Sequence, residues 1–233
     1  MRTFRPIATD SSLFIVMLGL LSALPPFGID AGLPGLSSLQ VDLGIGPGQA
    51  AQTLTLFLLG FAVGPVLFGP LSDRYGRKPV LLGGVALFTL AALGCATSTS
   101  LEMLLAFRVL QGVGAGAAAA LPAAIVRDVF EGDRGMTRQS YVALVNAVAP
   151  LVAPLMGAGL LAFGDWRLIY VGLTIVGTGL LLMWTAQPFV DTRGSKWHGS
   201  AEWRSGEPRL RTNATPPCTG SRSAAVRHPC LLE

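Results

Sequence analysis

The chain has 233 residues, of which 51% are hydrophobic and 13% charged, and its mean hydropathy is +0.57. Soluble domains carry about 25% charged residues, so this composition argues against a soluble globular domain. The net charge of +4 comes from Lys and Arg in short gaps between apolar runs. That is a topology pattern, not a nucleic-acid-binding surface.

Apolar runs long enough to cross a bilayer, about 20 residues each, predict six spans. They cover Ser12–Leu33, Ala50–Leu71, Pro79–Thr97, Leu101–Val126, Tyr141–Phe163 and Leu168–Gln187. The first has the look of a signal peptide, since Arg2 and Arg5 precede it. Its apolar run is too long for one, and five more spans follow. Lys and Arg then set the orientation. One side collects Arg2, Arg5, Arg74, Arg77, Lys78, Arg127, Arg134 and Arg138, and the other has only Arg167. Both ends of the six-span unit are therefore expected in the cytoplasm, in a multi-pass protein of the inner (plasma) membrane.

Residues 1–188 are read as a six-helix transmembrane domain, all-α, and residues 189–233 as a polar tail. Past Pro188 the composition turns to Arg, Ser, Gly and Pro with no run that could span. Two readings of this tail stay open. It is a disordered cytoplasmic segment, or it is translated out of frame, as scattered Trp197, Trp203, His198 and Cys218 without periodicity suggest.

Ionisable residues inside spans are costly in hydrocarbon and are functional candidates by default. Asp30 falls in the first span and Arg108 in the fourth. At ~1.5 Å rise per residue, both are expected in the outer third of the bilayer. A direct or water-bridged pair, or two groups facing one wet cavity, is the economical arrangement. The bland alternatives are that Asp30 caps a helix end near Pro34 and that Arg108 snorkels to the outer surface. A carboxyl gains a proton more readily when it loses water and less readily beside a guanidinium. Asp30 is thus the candidate protonation site, with Arg108 as its tuner. Gln111 follows one helical turn after Arg108.

The charged stretch Gly69-Pro70-Leu71-Ser72-Asp73-Arg74-Tyr75-Gly76-Arg77-Lys78 cannot lie in hydrocarbon, so a short loop at a membrane face is expected. Its bland reading is a set of positive-inside determinants facing anionic lipid. In the fourth span Gly112, Gly114 and Gly116 precede a run of alanines, which suits close helix packing in lipid. Pro150 and Pro154 are expected to kink the fifth helix. No phosphate-binding Gly-rich loop with Lys-Ser or Lys-Thr occurs. Neither a Cys/His metal spacing nor a nucleophile–base constellation is visible, so neither an enzyme nor a cofactor is expected.

The spacing from Gly69 to Lys78 resembles the loop between the second and third helices of major facilitator superfamily transporters. Arg108-Val109-Leu110-Gln111-Gly112-Val113-Gly114 resembles that family's fourth-helix motif. Leu24–Pro34 around Asp30 and Asp165–Tyr170 are similar to the Bcr/CflA drug-resistance branch. Pro150, Pro154, Gly157 and Gly159 are similar to the antiporter motif of the fifth helix.

The resemblance implies the N-terminal half of such a carrier, built as 3+3 inverted repeats. It implies export of apolar or cationic drugs or metabolites, driven by the proton gradient. Asp30, Arg108 and Gln111 would line its cavity. Asp73, Arg77 and Asp128 would form a charge latch, within a gating loop that includes Gly69, Arg74, Gly76 and Lys78. Carriers of this type have two six-helix halves, so a single half is expected to be truncated and inactive by itself. The alternatives are a half-size protein that pairs with a second copy or a partner bundle, and a non-transporting membrane partner.

Overall fold

The computed structural model describes residues 12–129 and 132–186, and within these all regular structure is helical. The chain folds as α1 (Ser12–Ser22), α2 (Leu24–Asp30), a 3-10 turn (Leu33–Gly35), α3 (Leu36–Leu43), α4 (Pro47–Tyr75), α5 (Arg77–Ala96), α6 (Leu101–Val129), α7 (Gly132–Phe163) and α8 (Arg167–Thr185). Six spans among the described residues are long and apolar enough to cross a membrane. They are Phe14–Leu43, Pro47–Tyr75, Arg77–Ala96, Leu101–Arg127, Met136–Phe163 and Arg167–Thr185. The predicted number and order of spans therefore hold.

Two boundaries differ from the sequence reading. The first span does not stop at Leu33. It bends through the 3-10 turn and continues as α3 to Leu43, because the break at Pro34 interrupts the hydrogen-bond ladder without reversing the chain. Gly44 ends it at φ 62°, a left-handed conformation that glycine enters without steric cost. The second correction concerns the expected loop Gly69–Lys78. Gly69–Tyr75 is the end of α4, and α5 begins at Arg77. A single residue, Gly76, makes the reversal at φ 97° and ψ 155°. That region is open essentially to glycine alone.

The core forms around α6, which packs against α4 on one side and α5 on another, while α8 covers α5 and α1–α2 lie against α7 and α6. Its glycines face two ways. A Cβ on Gly112 would overlap the Phe57 carbonyl, and one on Gly116 would meet Gly64 and the Phe61 carbonyl of α4. Gly60 and Gly64 reciprocate against Val109 and Val113. Gly114, two residues from either neighbour, points instead at Gly84 and Phe88 of α5. In lipid, where apolar side chains gain nothing by leaving water, backbones this close supply the dispersion energy that joins helices. Leu18, Leu21, Phe88, Leu104 and Trp184 fill the space between.

Two spans stand apart. In the apolar windows of α4 and α7 only 17% of residues are buried, against 67% in the first span. Leu59, Val66 and Leu67 of α4 and Leu144, Leu151 and Leu155 of α7 are exposed. The alternation of spans leaves Arg74, Arg77, Lys78 and Arg127 at one end of the bundle, the basic face, and Asp42, Ser98 and Arg167 at the opposite face.

Candidate functional site

The site is built on the broken first span. Pro25 and Pro26 sit in the first turn of α2, where missing N–H groups cost little. The α2 ladder ends with the Ala31 N–H donating to the Phe27 carbonyl. Pro34 has no N–H to offer the Asp30 carbonyl, and the chain turns through Ala31–Gly35. The Gly28 carbonyl left by this break accepts a hydrogen bond from Arg108 Nη1 at 2.9 Å.

Arg108 is 1% exposed. Besides Gly28 its Nη1 donates to Gln111 Oε1 at 3.0 Å, and its guanidinium lies 5.0 Å from the Phe57 ring centre and 5.4 Å from that of Tyr170. Charge-assisted bonds to neutral oxygens and aromatic faces thus offset part of the cost of a cation in the bundle interior. This corrects the expected pairing: among the described residues Arg108 and Asp30 share no ion pair. Surface snorkelling is also ruled out, since the side chain is enclosed by α2, α4 and α8. Arg108 Nε and Gln111 Nε2 are buried without a hydrogen-bond partner.

Asp30 faces elsewhere. A cavity of about 480 Å³ lies between α1–α2 and α7, with α4 and α6 closing its back. Asp30, Ser22, Gln139 and Asn146 supply polar lining, and Pro25, Pro26, Ile29, Phe61 and Val142 supply apolar lining. Asp30 is half-buried and is the single charged residue of that lining. Arg108 and Gln111 sit behind the wall and do not reach the cavity. Its level in the bundle follows from its neighbours: the Gly28 carbonyl meets Arg108, seven residues into α6, and Ala31 abuts Gly157, six residues before the end of α7. Asp30 and Arg108 thus share one level, nearer the Arg167 face than the basic face, although the helix itself continues beyond Leu33.

At the basic face Arg77 ties α5 back to the end of α4. Its Nη1 lies 2.9 Å from Asp73 Oδ1 and donates to Ser72 Oγ at 2.6 Å. Ser72, buried, donates in turn to the Gly69 carbonyl at 2.7 Å. Two members of the predicted latch, Asp73 and Arg77, are thus joined, and Ser72 is a member that charge counting missed. The Asp128 side chain lies outside the described residues, as does the whole segment 187–233. Gly69 has open space where a Cβ would stand. Arg74 lies 5.6 Å from the ring centre of Tyr75.

The opposite face carries a clasp that the sequence reading did not find. Asp42 Oδ2 accepts from Arg167 Nη1 at 2.8 Å and from Trp166 Nε1 at 3.1 Å. Arg167 Nη2 donates to the Ser98 carbonyl at 3.3 Å, and its guanidinium lies 4.6 Å from the Trp166 ring centre. The last turn of α3, the connection after α5 and the start of α8 meet here. The available signal was that Arg167 is the lone cation of its side and Asp42 the acid of the first connection.

In α7 the helix runs unbroken through Pro150 and Pro154. Pro150 lines the cavity. Gly157 lies so close to α2 that a Cβ would overlap the Ala31 carbonyl, whereas Gly159 faces open space. The four residues of the fifth-helix motif therefore do different jobs.

Six apolar helices packed through glycine seams around a broken first helix define the fold class. Residues 11–215 match the family model described as Major Facilitator Superfamily. The chain belongs to the major facilitator superfamily. It is 39% identical over 165 residues to the bicyclomycin resistance protein homolog of Haemophilus influenzae, covering 71% of this chain and 42% of that protein. It is 40% identical over 169 residues to the uncharacterized MFS-type transporter YdgK of Bacillus subtilis, covering 72% and 42%. Multidrug resistance protein D of Escherichia coli is 32% identical over 166 residues, covering 71% and 42%. The chain thus spans about two fifths of the length of these relatives. Among solved structures, a D-xylose-proton symporter superposes with a TM-score of 0.64 at 18% identity, covering 84% of this chain and 52% of that one. The fold is therefore that of one bundle of a superfamily carrier, and the protein is a multi-pass membrane protein.

Proposed function

We propose that this bundle is the cation- and proton-binding half of a drug–proton antiporter of the inner (plasma) membrane. The observation that carries the reading is Asp30: a lone carboxylate inside the first span, without an ion-pair partner among the described residues, lining a largely apolar cavity. An uncompensated charge within a span is costly and is kept where it binds something. A proton or a cationic drug each neutralises it, so the two compete for one group, which is the requirement for exchange. The resistance-protein names of the relatives support the substrate class.

The bundle's lysines and arginines other than the buried Arg108, eight on the side of both ends by sequence order and one opposite, support cytoplasmic termini. The exposed faces of α4 and α7 favour completion by a second six-helix bundle. A partner half or a second copy would serve.

The test joins residues 1–188 to the second half of the Haemophilus influenzae relative. Everted vesicles holding the hybrid, energised by respiration, should lose their pH gradient when ethidium is added. Asp30→Asn should abolish that response. Exchange that survives in the variant overturns the proton role. A silent hybrid beside an active intact relative overturns the transport reading. Vesicles with the 233-residue chain alone should stay silent; activity there, with crosslinks between copies through α4 and α7, would favour the second copy as partner.

A further inference from the structure

Two contacts fix the register of α7 against the first span. A Cβ on Gly19 would press on Val145, and one on Gly157 would press on Ala31. Both pairs are 126 residues apart, so the helices run parallel and in step. On that register Asn146 stands level with residue 20, ten residues toward the basic face from Asp30. At a rise of ~1.5 Å per residue this is about 15 Å. Gln139 lies two further turns toward the basic face. The cavity is therefore long. It has a carboxylate at its end toward the Arg167 face, apolar walls from Pro25, Pro26, Ile29 and Phe61, and two amides at its other end.

These amides are not engaged by the bundle. Gln139 Oε1 is buried without a hydrogen-bond partner. Asn146 is exposed on the cavity side of an otherwise apolar stretch of α7 and bonds to none of the described residues. Idle amides are costly on a membrane helix, and the usual remedy is a partner from a neighbour or a bound molecule.

We propose that Gln139 and Asn146 form a second polar station that reads the far end of an elongated cationic substrate whose charge lies at Asp30. The inference rests on the reading of the cavity as a cation site and adds to it a substrate class: amphiphilic cations with an apolar body and an amine, hydroxyl or carbonyl remote from the charge. Amides both donate and accept, so all three groups qualify.

The experiment uses the full 233-residue chain in lipid nanodiscs and two probes with one alkyl chain and one charge. (12-Hydroxydodecyl)trimethylammonium carries a hydroxyl roughly 15 Å from its charge, the distance of Asn146 from Asp30 along the bundle; dodecyltrimethylammonium lacks it. Equilibrium dialysis against protein-free nanodiscs gives both dissociation constants. The chain should prefer the hydroxylated probe by about fivefold or more, the worth of a neutral hydrogen bond or two. The double variant Gln139→Leu/Asn146→Leu should bring the ratio to about one while the probe without the hydroxyl binds within twofold of its former strength, which also shows that the variant is folded. Asp30→Asn should weaken both probes alike.

No preference in the parent chain, a preference that survives the double variant, or a parallel loss of both probes overturns the proposal. A parent chain that binds neither probe, or binding that ignores Asp30→Asn, overturns the cation-site reading beneath it.

Discussion

The clasp at Asp42 offers a sharp test of how the bundle holds together the face opposite its basic one. Asp42→Ala removes two hydrogen bonds at once. The Trp166 ring is 1% exposed, so its Nε1–H loses a partner that water cannot readily replace, at a cost of about 1–3 kcal/mol. The ion pair is a smaller matter. The Arg167 and Asp42 side chains are 33% and 42% exposed, and pairs this open contribute about 0.2–1 kcal/mol. The alanine variant should therefore lose roughly 1.5–3 kcal/mol of unfolding free energy. Asp42→Asn keeps an oxygen for Trp166 and should lose only the ion-pair share. Arg167→Ala should fall between the two, because it also gives up the Ser98 carbonyl and the stacking on Trp166.

The assay is reversible unfolding in mixed micelles by sodium dodecyl sulfate, followed by tryptophan emission at low and high salt. About 1 M salt, where screening acts over ~3 Å, should erase the difference between parent and Asp42→Asn and leave most of the Asp42→Ala loss. If the asparagine variant is as damaged as the alanine one, the indole bond is not the main element and the reasoning fails. An unchanged alanine variant would show that this face is held by the helices alone.

Other perturbations separate packing from chemistry. Gly112→Ala places a methyl group against the Phe57 backbone, which cannot give way, and should cost about 1–3 kcal/mol in the same titration. Gly159→Ala meets open space and should be neutral or gain up to about 1 kcal/mol from helix propensity; equal effects at the two sites would dismiss the seam. Arg108→Lys keeps the charge but loses the planar group held between Phe57 and Tyr170. It should lower the melting temperature measurably in a thermal scan, where full retention would show that charge alone suffices. Asp30→Asn removes an unpaired carboxylate from a half-buried position and should leave the melting temperature equal or higher at neutral pH. A clear loss of stability would reveal a structural partner for Asp30.

Much of this molecule could be read from its residues in order. Bilayer thickness fixes the length of an apolar span, so six runs of the right length gave six spans, and Lys and Arg gave an orientation to test. The cost of ions in hydrocarbon picked out Asp30 and Arg108. Gly76 stood out as glycine in a charged turn, and the structure supplies the reason in its positive φ.

What the linear pattern could not decide was who faces whom. Asp30 and Arg108 have opposite signs, yet a carbonyl freed by the break before Pro34 takes the guanidinium and leaves the carboxylate to a cavity. That outcome depends on where a helix ladder breaks, which residue type alone does not set. Gly112, Gly114 and Gly116 look like one seam, but a turn of 3.6 residues sends the middle one to a different helix. Asp42 in α3, Ser98 after α5 and Trp166 and Arg167 at the start of α8 are far apart in sequence and meet only because the spans between them return the chain to the same face. Sequence periodicity carries burial and depth, which are local; the partners of a buried polar group are set by packing between distant segments, which only the tertiary structure decides.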